Sequence, residues 1–492
     1  MVLFAGIDLG STGIRGIIAD SEGKVIINIQ EPFPVEILYE GCEREGGRHE
    51  QNTRIWVEKI NSILKRIGLE LKDLGYKLDD IKAICSDSTS GTIVAVDDSG
   101  NPLIPAMMYN DIRAKDEARE IQGVTEEFSN KIGYKFKASF ALPKMFWIKN
   151  NLPAIFKRTY KFLHANDFLV GLLSNEYFHS DSSNCLKAGY DFLDRQWPDF
   201  IERDVGISPE KLPEVAPPGK IVGKTSEKLE KLTGFPAGTL IVSGMTDSTM
   251  ALIASGASSP GDIFSSLGTT LVTRVLSREL IRDPQGRVYC HVLPGKIPIY
   301  LPGGASSVGA ECLQAYFPNV NYELYDQKAL EIFPAESITY PLVKKGERFP
   351  FVNNDAEHFY QGSAEKFEKY TAYLQAVAFV ERLSIETLGG LGAEIGDRVF
   401  TIGGAVKSKP WLQIRADVLQ KPVFRPKIIE AAYGAAILAA STVSYNGNLS
   451  KTIEKFVQPD LILQPRAELR AKIEEKYHKF ITQIRKRYQL QI

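Results

Sequence analysis

The strongest constraint on this chain is a pattern that occurs twice. Residues 3–20 read LFAGIDLGSTGIRGIIAD, an apolar stretch, a Gly-flanked Ser/Thr turn and a second apolar stretch. About 250 residues later, GDIFSSLGTTLVTRVLS again gives strand, Gly-Ser/Thr turn and strand. Short apolar runs around a tight Gly-bearing turn predict a β-hairpin. Two such hairpins opening two halves of one chain predict a duplicated fold with a cleft between the halves. Both turns offer runs of backbone N–H groups able to face a phosphate chain.

The segments after each hairpin carry the theme further. NTRIWVEKINSILKRIGLELKDLG has helical apolar spacing, with Asn52 as N-cap, and IKAICSDSTSG is a short buried strand entering a polar turn. In the second half GDRVFTIGGAVKS reads as strand into Gly-rich turn, PWLQIRADVLQ as helix, KPVFRP as strand and EAAYGAAILAAST as helix. The order describes an α/β protein with mixed sheets. A chain of 492 residues also exceeds one core, so at least two compact units are expected.

Composition removes several classes of function. With 44% hydrophobic and 24% charged residues the chain is not intrinsically disordered. Lys plus Arg total 59 against 60 acidic residues, which leaves no field for a polyanion, so nucleic acid is not an expected partner. The five cysteines are dispersed and form no CxxC pair, so a disulfide framework or zinc site is not expected. MVLFAGIDLG has no basic leader, and EAAYGAAILAASTVSY suits a packed helix better than a membrane span. A cytoplasmic protein without a membrane partner is expected. There is no GxxxxGK[ST] loop, HExxH, GxSxG or HRD…DFG set.

A few residues sit where chemistry is possible. Asp8, at the junction of the first strand and its turn, is either a turn aspartate or a carboxylate holding Mg²⁺ through water. Asp247, in SGMTDSTMALIASG, is either a helix cap or a general base for a hydroxyl nucleophile. In GGAVKSKPW, Gly403 and Gly404 permit close approach of a ligand, and Trp411 is either core or an aromatic surface beside an adenine. GGASSVGA, from Gly303, has the same two readings.

These segments together resemble the FGGY carbohydrate kinases, a branch of the sugar kinase/actin-like ATPase superfamily. GIDLGSTGIRG resembles the family's first phosphate motif, HEQNTRIW its EQ-x-x-x-x-W stretch, and DSGNPLIPAMMYNDIRA its G-x-P-x-x-P…W-x-D-x-R segment, with Tyr109 at the aromatic position. LPKMFWIKNN resembles the K-x-x-W signature and SDSSNCLKAGYD the D-x-S-N segment. GMTDSTMALIASGASSPGDIFSSLGTT resembles the catalytic aspartate region with the second phosphate motif, and GGAVKSKPWLQIRADVLQKPV the adenosine motif. The resemblance implies a two-domain actin-like ATPase (ribonuclease H-like) fold, with a duplicated mixed-sheet core and an interdomain cleft. Residues 1–253 plus 431–492 would form the first domain and 254–430 the second.

The resemblance also implies ATP-dependent phosphorylation of a sugar hydroxyl. Asp247 would be the base, with Asp8 and Asp247 near Mg²⁺ and substrate. Ser11, Thr12, Gly13, Gly268 and Thr269 would face the phosphates, and Gly403, Gly404, Ser408 and Trp411 the nucleotide, with Gly304 close by. At residues 86–91 this chain has SDSTSG where xylulokinases typically carry Gln-Met-His-Gly and glycerol kinases an Arg-Glu pair. The TSG turn, Arg15, NCLKAGY and KKGERFP instead resemble D-ribulose kinases within the pentulose branch. By that likeness Ser90, Thr12, Gly13 and Arg15 would hold sugar hydroxyls. Without the likeness Ser90 is a turn serine and Arg15 a surface ion-pair partner. The expected molecule is a monomer or homodimer acting on D-ribulose. D-xylulose or another polyol is the alternative acceptor, and a non-catalytic actin-like nucleotide-binding protein the alternative class.

Overall fold

A computed structural model describes residues 1–295 and 297–490, and the chain folds into two compact units. Unit 1 comprises Met1–Ala254, Leu293–Ile297 and Glu430–Phe456, and unit 2 comprises Ser255–Val292, Pro298–Ile429 and Val457–Ile492. Among the described residues no helix is long and apolar enough to cross a membrane.

Unit 1 is built on strands β1 (Leu3–Leu9), β2 (Gly13–Asp20), β3 (Val25–Pro32), β4 (Ile81–Ser88), β5 (Ile221–Lys224) and β6 (Leu240–Thr246), in spatial order β5-β6-β4-β1-β2-β3. The first three strands form an antiparallel meander, while β4 runs parallel to β1 and β6 parallel to β4. Every residue of β1 is buried, which explains why LFAGIDL is apolar on both faces up to Asp8. The helix Thr53–Asp73 starts where the Asn52 side chain accepts the Arg54 N–H at 3.0 Å. It lays Ile60, Ile63, Leu64 and Ile67 into the core with Ile14 and Ile18.

The other side of β1 is covered by the helix Ala431–Ser444. Its small residues are a steric requirement, because a Cβ on Gly6 would stand 1.8 Å from the Ala432 carbonyl oxygen. On the helix itself, a Cβ on Gly434 would stand 2.0 Å from the Met250 carbonyl oxygen. Backbone therefore packs directly on backbone where this helix meets β1, and again where it meets Met250 of the helix Asp247–Ser255.

Unit 2 repeats the plan with β7 (Ile263–Leu267), β8 (Leu271–Val275), β9 (Tyr289–Leu293), β10 (Ile299–Ser306), β11 (Val399–Ile402), β12 (Val423–Pro426) and β13 (Pro459–Leu463). Their order is β9-β10-β8-β7-β11-β12-β13. The antiparallel run β7-β8-β10 corresponds to β1-β2-β3, and the parallel strands β11 and β12 to β4 and β6. An antiparallel edge strand closes the parallel side in both sheets. The duplication expected from the two hairpins is thus present strand by strand, with β9 added.

The chain's last segment differs from the expected division. Residues 457–492 group with unit 2, not with the first domain. The reason is apolar burial: Ile473, Tyr477, Phe480 and Ile484 of the helix Arg470–Tyr488 enter a cluster with Tyr340 and Phe379. β13 joins the second sheet beside β12.

A buried ion pair crosses the middle of unit 2. Arg415 donates from Nε and Nη2 to the two carboxylate oxygens of Glu381, each at 2.7 Å, and from Nη2 to Ser265 Oγ at 3.0 Å. Both charged side chains are fully buried. Removing one charge strands the other, whereas removing both does not. Arg415→Met is therefore expected to destabilise the protein by about 3–5 kcal/mol, and Glu381→Leu/Arg415→Met to recover most of that loss in urea unfolding. Gly6→Ala, which drives a methyl group into a backbone carbonyl, is expected to cost about 3 kcal/mol or more by the same measurement.

Candidate active site

Three carboxylates meet at the ends of the three central strands of unit 1. The register pairs Asp8 of β1 with Asp87 of β4, and Met245 of β6 with Asp87 on the other side. Asp247 follows β6 as the first residue of the helix Asp247–Ser255. Asp8 is 6% exposed and Asp87 fully buried.

The electrostatics follow from this crowding. Burial raises the Asp8 carboxyl above its ordinary pKa, opposed by Arg15 and by a hydrogen bond with Asp87, while Glu430 adds to the rise. Arg15, opposite Asp8 in the hairpin register, places Nη1 at 3.5 Å from Asp8 Oδ2. Asp87 is raised further by burial, and then by the neighbouring charges of Asp8 and Asp247. Among the described residues no N–H or alcohol O–H reaches the Asp87 oxygens, so its hydrogen bond with Asp8 is one between two carboxyl groups. Asp247 accepts the Ser248 N–H at 2.6 Å, and its charge is felt by the Tyr109 hydroxyl. Asp247 thus stands at the start of its helix and beside Asp87 in the carboxylate cluster.

The motif residues of unit 1 brace this cluster. Gln51 donates from Nε2 to the Ser11 carbonyl at 2.7 Å and accepts the Trp56 indole N–H at 3.2 Å, which ties the hairpin turn to a helix. Arg113 joins Glu50 at 2.6 Å and Asp111 at 2.7 Å, and its guanidinium lies 4.9 Å from the Trp147 ring centre. Asp181 holds Asn184 through its backbone and side-chain amides, and Ser183 Oγ accepts the Thr246 N–H beside Asp247 at 3.3 Å. A small polar cavity of about 150 Å³, lined by residues that include Ser11, Thr12, His49, Gln51, Tyr109 and Asn110, is linked to the cluster through Tyr109, whose hydroxyl feels Asp247; the three acids themselves are not on its wall.

The remaining expected positions of unit 1 are distributed as follows. Thr12 is exposed at the turn, and its carbonyl accepts the Phe33 N–H at 2.9 Å. Gly13 opens β2, buried against the Glu31 backbone. Ser90 lies in the turn after β4, and its hydroxyl is buried with no partner among the described residues.

Unit 2 holds a larger cavity of about 1040 Å³. Gly268 and Thr269 line it from the β7–β8 turn, and Gly404, Ser408 and Trp411 from the segment after β11. Ser408 Oγ accepts the Trp411 N–H at 3.1 Å, and the indole N–H is satisfied by the Leu374 carbonyl at 3.1 Å. Trp411 is therefore core on one edge and cavity wall on the other. Asp326 and Tyr370, which the sequence reading missed, line the same cavity and hydrogen-bond to each other at 2.7 Å. Two expected residues are not on its wall. Gly304 sits in mid-strand opposite Thr273, where a Cβ would meet the Phe349 ring at 2.5 Å. Gly403, at φ +99°, backs onto the Leu267 carbonyl, so it shapes the turn that presents Gly404.

Asp87 is the member of the carboxylate cluster that sequence reading passed over. Its signal was the same as that of Asp8, a lone acid where a buried strand runs into a Ser/Thr turn. Only strand pairing reveals that the two acids are neighbours.

Comparison with known proteins matches both halves of the chain. Residues 3–254 match the model of the N-terminal domain of the FGGY family of carbohydrate kinases, and residues 265–443 that of its C-terminal domain. The chain is 26% identical to a xylulose kinase of Bacillus subtilis over 480 residues, covering 94% of this chain and 93% of the relative. It is 23% identical to a ribulokinase of Halalkalibacterium halodurans, covering 97% and 93%. The solved xylulose kinase from Rhodospirillum rubrum superposes with a TM-score of 0.86 at 22% identity, covering 98% of each chain. With both halves of the strand-by-strand duplication matched in order, the chain belongs to the FGGY family of carbohydrate kinases.

Proposed function

We propose that this protein transfers the γ-phosphate of ATP to the terminal hydroxyl of a ketopentose. The observation that carries this reading is the convergence of Asp8, Asp87 and Asp247 at the ends of adjacent strands, beside a cavity rich in polar groups. Phosphoryl transfer asks little covalent chemistry of a protein. It needs an in-line nucleophile, a base within reach of it, and neutralisation of charge on the phosphates.

Asp247 is the proposed base, since it stands at a helix start beside the cluster and is half-buried, unlike Asp87. Asp8 and Arg15 would fix a sugar hydroxyl and the approach of the phosphates. The carboxylate oxygens of Asp8 and Asp247 are also the hard donors that Mg²⁺ takes. Mg²⁺ is commonly held by one or two carboxylates, waters and substrate phosphates. Asp8 and Asp247 are the residues proposed to hold it, and bound there it would supply charge neutralisation at the β- and γ-phosphates. Gly268, Thr269, Gly404, Ser408 and Trp411 are the proposed nucleotide-binding residues of unit 2.

For the acceptor, the named relatives favour D-xylulose over the D-ribulose of the sequence reading, because xylulose kinases recur among them. D-ribulose keeps one specific support. It is the likeness of the Thr89-Ser90-Gly91 turn to that of D-ribulose kinases, in which the Ser90 hydroxyl is buried with no partner among the described residues. A mispaired buried hydroxyl costs about 1–3 kcal/mol, enough to separate two ketopentoses by tenfold or more. Turnover across a panel of ketoses and polyols decides it: D-xylulose should give the highest kcat/KM, and a polyol or hexose in first place would defeat the ketopentose assignment.

Two further outcomes follow from the carboxylates. Asp247→Ala is expected to lower kcat by at least ~100-fold while ATP still binds, and near-normal turnover would remove Asp247 from the role of base. For Asp87, burial and its acidic neighbours raise the folded pKa, so in the pH window above the ordinary carboxylate value the folded state binds more protons than the unfolded one. Stability contributed by this group is then present at low pH and lost as pH rises. Asp87→Asn is expected to raise the Tm at neutral pH, with the gain shrinking as pH is lowered through the ordinary carboxylate range.

A further inference from the structure

Two lysines converge from different helical segments on the turn that follows β4. Lys144, from the helix Ala141–Asn151, is fully buried, and its Nζ donates to the Gly91 carbonyl at 2.9 Å and the Met108 carbonyl at 2.5 Å. Lys187, beyond the Asp181–Asn184 segment, donates to the Ser90 carbonyl at 3.1 Å. Its aliphatic stem passes so close that a Cβ on Gly91, at φ +88°, would lie 3.1 Å from Lys187 Cδ. Two consecutive carbonyls of one turn are thus each held by an ammonium group.

The same turn is tied to the cavity wall a second way. Thr89 and Thr92 share a hydrogen bond between hydroxyls at 2.7 Å, and Thr92 Oγ1 accepts the Tyr109 N–H at 3.0 Å. Met108, Tyr109 and Asn110 line the polar cavity. Lys144 therefore spans two backbone segments, one carrying Ser90 and the other carrying Tyr109.

A lysine is an expensive way to brace two loops, since burying an ammonium group is costly unless hydrogen bonds replace its water. Burial brings its pKa down to about 7, with Asp111 opposing and Lys187 and Arg113 adding to the fall. A neutral amine still has two N–H donors, enough for both carbonyls, so the brace survives loss of the proton.

We propose that Lys144 and Lys187 are positioning residues that set acceptor affinity and selectivity, by holding the Ser90–Gly91 turn in register with the Met108–Asn110 wall. Neither needs to touch the sugar. The proposal rests on the sugar-kinase reading and adds to it that acceptor choice is written partly in backbone placement. It gives a role to two motif lysines that phosphoryl transfer itself does not use.

The test is steady-state kinetics of Lys187→Met, Lys144→Met and Lys144→Gln against wild type, on D-xylulose and D-ribulose with ATP varied independently. Removing a buried charge-assisted hydrogen bond should raise the sugar KM roughly tenfold. The ratio of kcat/KM between the two ketoses should shift, while the KM for ATP stays within about twofold. Lys144→Gln, which keeps N–H donors without the charge, should recover part of the loss seen in Lys144→Met. Lys187 is only partly buried, so Lys187→Met carries the test even if Lys144→Met fails to fold. Unchanged sugar KM and unchanged ketose ratio in an active Lys187→Met protein would overturn the proposal alone, as would an equal rise in both substrates' KM. A wild-type protein inactive on every ketose and polyol would overturn the sugar-kinase reading and this proposal with it.

Discussion

The parallel pairing of β1 with β4 is the constraint on which the rest of this protein depends. It sets Asp8 directly beside Asp87 and, through β6, brings the chain to Asp247. Parallel strands end on the same edge of a sheet, so acids remote in sequence become neighbours without any local motif joining them. Maintaining that register requires the covering helix Ala431–Ser444 to approach β1 at backbone distance, which is why glycine stands at 6. Sterics at one seam and charge crowding at the strand ends are thus two consequences of the same packing.

Crowded, buried acids weaken a fold, and here the surrounding network accommodates them. Arg15 lies against Asp8, Gln51 ties the hairpin to Trp56, and Arg113 gathers Glu50 and Asp111. Each of these residues belongs to a motif in which sequence alone suggests only a family likeness. In the folded unit each has a mechanical role, as a strut between the hairpin turn, the cavity wall and the helix that carries Trp147. Strained electrostatics retained at strand ends and braced from behind are characteristic of a site maintained for chemistry.

Unit 2 uses the same strand order to a different end. Its hairpin turn faces a cavity of about 1040 Å³, and the interior polar investment is an Arg415–Glu381 pair rather than a carboxylate cluster. The homologous position of Asp8 in β7 is occupied by Ser266, by the register that aligns the two hairpins. A neutral hydroxyl there leaves the turn's N–H groups without a competing negative charge. One duplicated scaffold thus presents an acidic strand end in one unit and a neutral, partly apolar recess in the other.

The sequence by itself determined the hairpins, the α/β class, the duplication and the short list of acids, because alternation, turn chemistry and lone charges in apolar runs are local signals. It placed Asp8, Asp247 and Trp411 among the residues worth examining, and left each with two readings. Tertiary structure decided what no local signal carries. Asp87 gained its meaning from strand register, Gly304 lost its expected place to the Phe349 ring, and residues 457–490 went to unit 2 because four apolar side chains on one helix face found their partners there. Period and turn type are written in neighbouring residues, whereas the company a buried group keeps is fixed only when distant segments compete for the same space.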